Sequence, residues 1–198
     1  TKPMTDIELR FNREEFAQRL DKTRQAMDAK GIDLLIVTDP SNMNWLTGYD
    51  GWSFYVHQCV IIPPHGEPIW FGRSQDANGA KLTAYLKHEN IIGYPDHYVQ
   101  STERHPMDYL SGILTDKSWG GHRIGVEMDN YYFSAAAFAS LTRNLPNARF
   151  TDATALVNWQ RAVKSPQEIS YMRKAAKIVE KMHQRIVDKV HVGMRKCD

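Results

Sequence analysis

The sequence predicts an α/β domain with a mixed sheet flanked by helices, followed by one long helix of different character. Three observations carry this reading. Short, nearly unbroken apolar runs recur along most of the chain with helix-period segments between them, so helices and strands interleave. Two of the runs are joined by a compact turn and form a hairpin, which requires antiparallel pairing somewhere in the sheet. Near residue 160 this alternation gives way to a single amphipathic stripe of about 25 residues, roughly twice the mean length of a globular helix.

Taken in order, Asn12 with Glu15 makes a capping box, and Phe16, Leu20 and Met27 then recur on one helical face, with Gly31 as the stop. "DLLIVTD" (33–39) has strand length and almost no polar residue, which predicts a strand covered on both faces. "QCVIIP" and "IWFG" flank the turn "PHGEP" (64–68) and form the hairpin. Ser74 can cap a helix reaching about residue 86, and "NIIGYP" is a further strand. A helix over 106–116 carries Met107, Leu110 and Leu114 on one side. "RIGVEMD" (123–129) is another strand, 134–145 another helix, and "ARFTDAT" a last short strand.

The segment "KSPQEISYMRKAAKIVEKMHQRIVDKV" opens with Ser165 as N-cap, Pro166 at the first helical position and Glu168 at the third, three agreeing start signals. Ile169, Met172, Ala176, Val179, Ile186 and Val190 mark its apolar face. Little sequence follows that could cover such a stripe, so the expectation is a domain over 1–160 and the opening of a second over 161–198. The alternative is a terminal helix lying back on the first domain.

Composition narrows the function classes. The chain has 198 residues, 42% hydrophobic and 24% charged, an ordinary globular balance. Its 25 Lys and Arg are scattered among 23 acids for a net charge of +2, which gives no electrostatic case for nucleic acid or an anionic membrane. Cys59 sits in an apolar run as a small buried hydrophobe, and with Cys197 it suggests no disulfide framework. The polar N-terminus and the absence of a long apolar run make the cytoplasm the expected compartment.

No catalytic spacing is present: neither His-Glu-x-x-His, Gly-x-Ser-x-Gly, a phosphate-binding glycine loop nor Cys-x-x-Cys. His97, Glu103 and His105 could be drawn as a metal site, but three such residues on a loop are more often solvated or helix-capping. Asp76 falls in the first turn of its helix, where an acid suits the dipole without any further role. The stretch "NWLTGYDGWSFYVHQCVII" (44–62) is more telling. Trp45, Tyr49, Trp52, Phe54 and Tyr55 crowd together with neither a helical nor a strand period, separated by Gly48 and Gly51. Ring faces attract delocalised cations at roughly 0.5 to 2 kcal/mol each and exclude water. The competing reading buries them, and it fits Leu46 and Trp45 as the end of a short helix on the core. Trp52, Phe54, Tyr55 and His57 are harder to bury together, so part of the cluster should be displayed.

"PSNMNWLTGY" after the apolar strand, and "RAVKSPQEISYMRKAAKIVEKM" farther on, resemble the N-terminal domain of the creatinase, prolidase and aminopeptidase P family and the entry into its catalytic pita-bread domain. "VGMRKCD" is similar to a segment just inside that second domain, although Lys196 stands where an acid is usual. The resemblance implies a non-catalytic half of a C–N bond hydrolase, with no catalytic residue, metal ligand or cofactor in this chain. It leaves metal use in the catalytic half undetermined. It also implies a homodimer in which this domain covers the partner's active site and lends it side chains from the aromatic loop. "SNMNWLTGYDGWSFYVHQCV", "GRSQDANGAK" and "GYPDHYVQSTERHPMDYL" look most like members that open a small zwitterionic cyclic amidine. Creatinase and Xaa-Pro dipeptidase are the alternatives within the family, and a stand-alone binding module the alternative outside it. Phe54 matches the Phe with which creatinase holds its substrate, but Val56 stands at the position of its Arg. Candidate substrate contacts are therefore Trp45, Tyr49, Trp52, Phe54, Tyr55, His57 and Arg73, the last two as possible carboxylate partners.

Overall fold

The computed structural model describes residue 7 and residues 9–197. The N-terminal stretch 1–6 lies outside the described residues. The chain forms two compact units, one reaching Arg161 and one beginning at Ala162.

The first unit is built on six strands: β1 Leu34–Val37, β2 Cys59–Ile62, β3 Ile69–Arg73, β4 Ile91–Tyr94, β5 Arg123–Val126 and β6 Arg149–Asp152. They lie in the order β4-β3-β2-β1-β5-β6. β2 runs antiparallel to both its neighbours, while β3–β4, β1–β5 and β5–β6 are parallel, so the sheet is mixed as expected. Six helices complete the unit: α1 Arg13–Ala29, α2 Pro40–Thr47, α3 Ser74–Thr83, α4 Pro106–Asp116, α5 Ala135–Asn144 and α6 Leu156–Ala162.

Strand periodicity sorts the core into two layers. Leu35 and Val37 of β1 face a cluster with Leu20, Met27, Met43, Leu46, Ala77, Ala80 and Leu156, from α1, α2, α3 and α6. Leu34 and Ile36 face the opposite way, into a cluster with Leu110, Leu114, Ala137 and Leu141 of α4 and α5. All four β1 residues are buried, which is why this strand shows no polar alternation in sequence. Burial of side chains this size contributes about 1.5 to 3 kcal/mol each.

Most start and stop signals operate as expected. Asn12 accepts from the Glu15 N–H, but the expected capping box is only half formed, because the Glu15 carboxylate pairs with Arg19 one turn on. α1 ends in a Schellman motif, with the Gly31 N–H donating to the Asp28 carbonyl and the Ile32 N–H to that of Met27. α4 spans the expected residues, and Met107, Leu110 and Leu114 are buried. Ser134 caps α5. Ser74 is a correction. It is the first residue of α3 rather than its cap, because its hydroxyl is drawn across to donate to the Tyr94 carbonyl at 2.8 Å. β5 also stops at Val126, three residues earlier than the apolar pattern suggested, since Glu127 turns into a polar network described below. α6 was not anticipated, its seven residues being too few to establish a period.

The second unit contains α7, Pro166–Lys189. Its capping box is complete: Ser165 accepts from the Glu168 N–H and Glu168 accepts from the Ser165 N–H. No residue of α7 is buried, and Met172, Val179, Met182 and Ile186 are exposed along its stripe.

Candidate functional site

From β1 the chain runs outward through β2, β3 and β4, then returns to the other side of β1 as β5. The connections leaving the carboxyl ends of β1 and β5 therefore diverge, α2 to one face of the sheet and α5 to the other. Open α/β sheets bind ligands in the crevice that such a reversal creates. Here that crevice is a pocket of about 200 Å³. One wall carries Thr38, Pro40 and Met43 from the β1–α2 corner, and another Tyr131, Tyr132 and Ser134 from the β5–α5 connection. The aromatic loop supplies Ser53 to Gln58 as the third wall.

This placement divides the aromatic cluster. Trp45 and Tyr49 are 8% and 3% exposed and belong to the core, so neither presents a ring face to solvent. Tyr49 packs edge-on against Trp70 at 5.2 Å and donates to Gln58 Oε1, while Gln58 donates to Asp76. Burial and the nearby Asp76 carboxylate push the Tyr49 phenol up to about 12. Trp52, Phe54 and Tyr55, by contrast, are 61%, 76% and 66% exposed. Trp52 makes edge contacts with Phe54 and Tyr132, each at 6.4 Å, and so sits against two of the rings that line the pocket.

Two glycines make the division possible. Gly48 ends α2 with φ of 80°, and a side chain there would meet the Thr83 carbonyl at 3.1 Å and the Phe16 ring at 3.2 Å. At Gly51 a Cβ would lie 2.5 Å from the Tyr49 hydroxyl, so only hydrogen lets the chain pass over the buried ring and send Trp52 outward. The far end of the loop is pinned by Tyr94, whose hydroxyl donates to the His57 carbonyl at 2.9 Å.

His57 lines this pocket and a smaller one of about 90 Å³ bounded by Tyr94, Tyr98, Arg104 and His105. Its ring lies 4.5 Å from that of His105. Burial, reinforced by that neighbour, lowers His57 to about 4, so the ring is neutral at ordinary pH. His105 Nδ1 accepts from the Met107 N–H and caps α4, which requires a neutral ring with its hydrogen on Nε2. Burial lowers its pKa as well, although the Asp108 carboxylate opposes this. His105 is thus the helix cap that the loop reading favoured over a metal ligand. Among the described residues no three metal-ligating side chains come together. Arg73 lies at the end of β3 with its guanidinium engaged by Asp96 in two bonds of 2.8 and 3.1 Å. Neither His57 nor Arg73 therefore offers a free cation, and the pocket presents ring faces and neutral donors.

Sequence reasoning passed over Glu127. It is 3% exposed at the end of β5, and its two oxygens accept from the Thr38 and Asp39 N–H groups at 2.6 and 2.8 Å and from the Asn42 amide at 2.6 Å. Asn130 adds a fourth donor at 3.3 Å. Burial raises this carboxyl's pKa, and the converging donors oppose the shift. The signal was an acid directly following the buried run Ile124 to Val126, a position where a charge is buried only with dedicated partners.

The chain matches the Creatinase/Prolidase N-terminal domain over residues 19–163. It belongs to that family. Ectoine hydrolase of Halomonas elongata is 58% identical over 98% of this chain and 49% of its own length. An uncharacterised hydrolase/peptidase of Sinorhizobium fredii is 44% identical over 96% of this chain and 49% of its own. Among solved structures, an Xaa-Pro dipeptidase from Bacillus anthracis superposes with a TM-score of 0.71 at 17% identity, covering 92% of this chain and 46% of that one. The chain thus spans about half the length of the curated relatives it matches, and as a creatinase/prolidase N-terminal domain it corresponds to their N-terminal half. No helix among the described residues is long and apolar enough to cross a membrane.

Proposed function

We propose that this chain is the N-terminal, non-catalytic domain of a cytoplasmic homodimeric C–N hydrolase acting on ectoine, and that its aromatic loop covers the partner subunit's active site. The reaction would add water across the cyclic amidine and open the ring to N-acetyl-diaminobutyrate, with the chemistry in the catalytic half. The observation that carries this reading is the display of Phe54 and Tyr55 in the lining of a pocket at the sheet's switch point, with the exposed Trp52 ring against Phe54. Solvent-facing rings are retained where a ligand or partner covers them. Ectoine pairs a planar amidinium with a carboxylate. The rings suit the first. Ser53 and Ser134 suit the second: each hydroxyl oxygen accepts from a backbone N–H and keeps its own hydrogen to donate. Val56 in place of an arginine disfavours creatine, whose carboxylate would want that charge.

The full-length protein is tested on ectoine, creatine and a Gly-Pro dipeptide, with products resolved by chromatography. Turnover of ectoine alone is expected, and the 198-residue chain by itself is expected to turn over none of the three. Turnover by the isolated chain, with contaminating enzyme excluded, overturns the non-catalytic assignment. Preference for the dipeptide or creatine overturns the substrate.

A further inference from the structure

Both walls of the pocket that face the aromatic loop are tied to one buried carboxylate. Glu127 Oε2 accepts from the Thr38 and Asp39 N–H groups at the start of α2, and from the Asn130 side-chain amide in the β5–α5 connection. Glu127 Oε1 accepts from Asn42, one turn into α2. Asn42 cannot reverse its amide. Its nitrogen also donates to Asn158 at 2.8 Å, and its oxygen accepts from Arg161 at 2.8 Å. Asn130 in turn accepts from the Tyr132 N–H at 2.8 Å, and Tyr132 lines the pocket and meets the Trp52 ring edge-on. Two short chains of hydrogen bonds therefore lead from Glu127, one to the wall of Thr38, Pro40 and Met43 and the other to the wall of Tyr131 and Tyr132.

We infer that Glu127 is a positioning residue that holds these two walls in register, and that substrate recognition depends on it although it touches no substrate. The dependence of recognition rests on the pocket reading proposed above; the holding of the walls does not. A buried acid with a purely structural role would stabilise the whole sheet. Glu127 instead makes its bonds at the strand ends, to the elements that line the pocket.

Glu127→Gln and Asn130→Asp separate the two walls. In the glutamine variant the oxygen serves the Oε2 side, where the Thr38 and Asp39 N–H groups, the Thr38 hydroxyl and the Asn130 amide donate, and the new NH₂ faces the fixed Asn42 amide, donor against donor. Amide hydrogen exchange on the chain should then quicken at Asn42 and Met43 by about 5- to 100-fold, while Leu35 and Ile61 in the sheet centre stay protected. Asn130→Asp keeps the oxygen to which the Tyr132 N–H donates and replaces the amide that reaches Glu127 with a second oxygen, so it should quicken Tyr132 and leave α2 unchanged. In the full-length protein either variant should raise KM for ectoine about 5- to 30-fold with kcat largely kept.

Uniform loss of protection in the glutamine variant, sheet centre included, overturns the inference, as does unchanged exchange at α2. If that variant does not fold, Asn130→Asp decides alone, and unchanged exchange at Tyr132 overturns it. An unchanged KM in both variants, when Phe54→Ala raises it, overturns the link to recognition and leaves the covering role standing. If Phe54→Ala itself has no effect, the covering role fails, and the exchange pattern still decides whether Glu127 holds the walls.

Discussion

Truncation of Phe54 separates a displayed ring from a core ring in a single variant. Phe54 is 76% exposed, so about a quarter of the ring's burial is at stake. Full burial of a Phe contributes about 1.5 to 3 kcal/mol, which leaves roughly 0.4 to 0.8 here. The edge contact with Trp52 at 6.4 Å adds a few tenths at an exposed site. The loss is therefore about 1 kcal/mol, or about 2 to 4 °C in Tm for a chain of this size. A buried ring such as Phe71 would instead cost about 3 to 5 kcal/mol when cut to alanine. That corresponds to about 6 to 20 °C. In the full-length protein, losing a cation–π or packing contact worth about 1 to 2 kcal/mol should lower kcat/KM for ectoine about 5- to 30-fold. Calorimetry on the chain and initial rates on the full-length protein check the pair, with Phe71→Ala as the core control. A large fall in Tm together with an unchanged kcat/KM refutes the displayed-ring reasoning.

Three further outcomes follow from the geometry. Asp33 is held at about 2 by hydrogen bonds from Arg123, so its stabilising contribution is full above the ordinary carboxylate range and is lost as pH falls from about 4 towards 2. Asp33→Asn should flatten that part of an acid-denaturation curve, and an unchanged curve contradicts the assignment. His57, lowered to about 4 by burial, stays neutral in the folded state while the unfolded chain takes up a proton below about 6.5. Stability should accordingly fall between pH 6.5 and 4, less steeply in His57→Gln, as thermal melts across that range will show. Finally, α7 buries none of its apolar stripe, so in a dilute monomer its amides should exchange faster than those of β1. Equal protection in the two elements would mean that the stripe is covered.

What the sequence determined by itself is mostly local. A cap is read within four residues, so Asn12 and the Ser165–Glu168 box could be placed from side-chain chemistry alone. Apolar runs such as "DLLIVTD" located doubly covered strands because burial on both faces removes every polar position. Ser74 shows where local logic ends. Its hydroxyl suits an N-cap, yet the Tyr94 carbonyl on the neighbouring strand captures it, and no local pattern encodes that approach. The aromatic cluster is the same case on a larger scale. Composition marks five rings as unusual, but Trp45 and Tyr49 are sorted from Trp52, Phe54 and Tyr55 only where α2 packs on β1 and Gly51 lets the chain cross the Tyr49 ring. Glu127 was least legible of all. Its donors on Thr38, Asp39 and Asn42 lie 85 to 89 residues away in the chain, and only the parallel pairing of β1 with β5 brings those strand ends together. Local chemistry thus determined the elements, whereas the pocket depended on which strand ends the sheet order made neighbours, because bonds between residues so distant in sequence exist only once the sheet has formed.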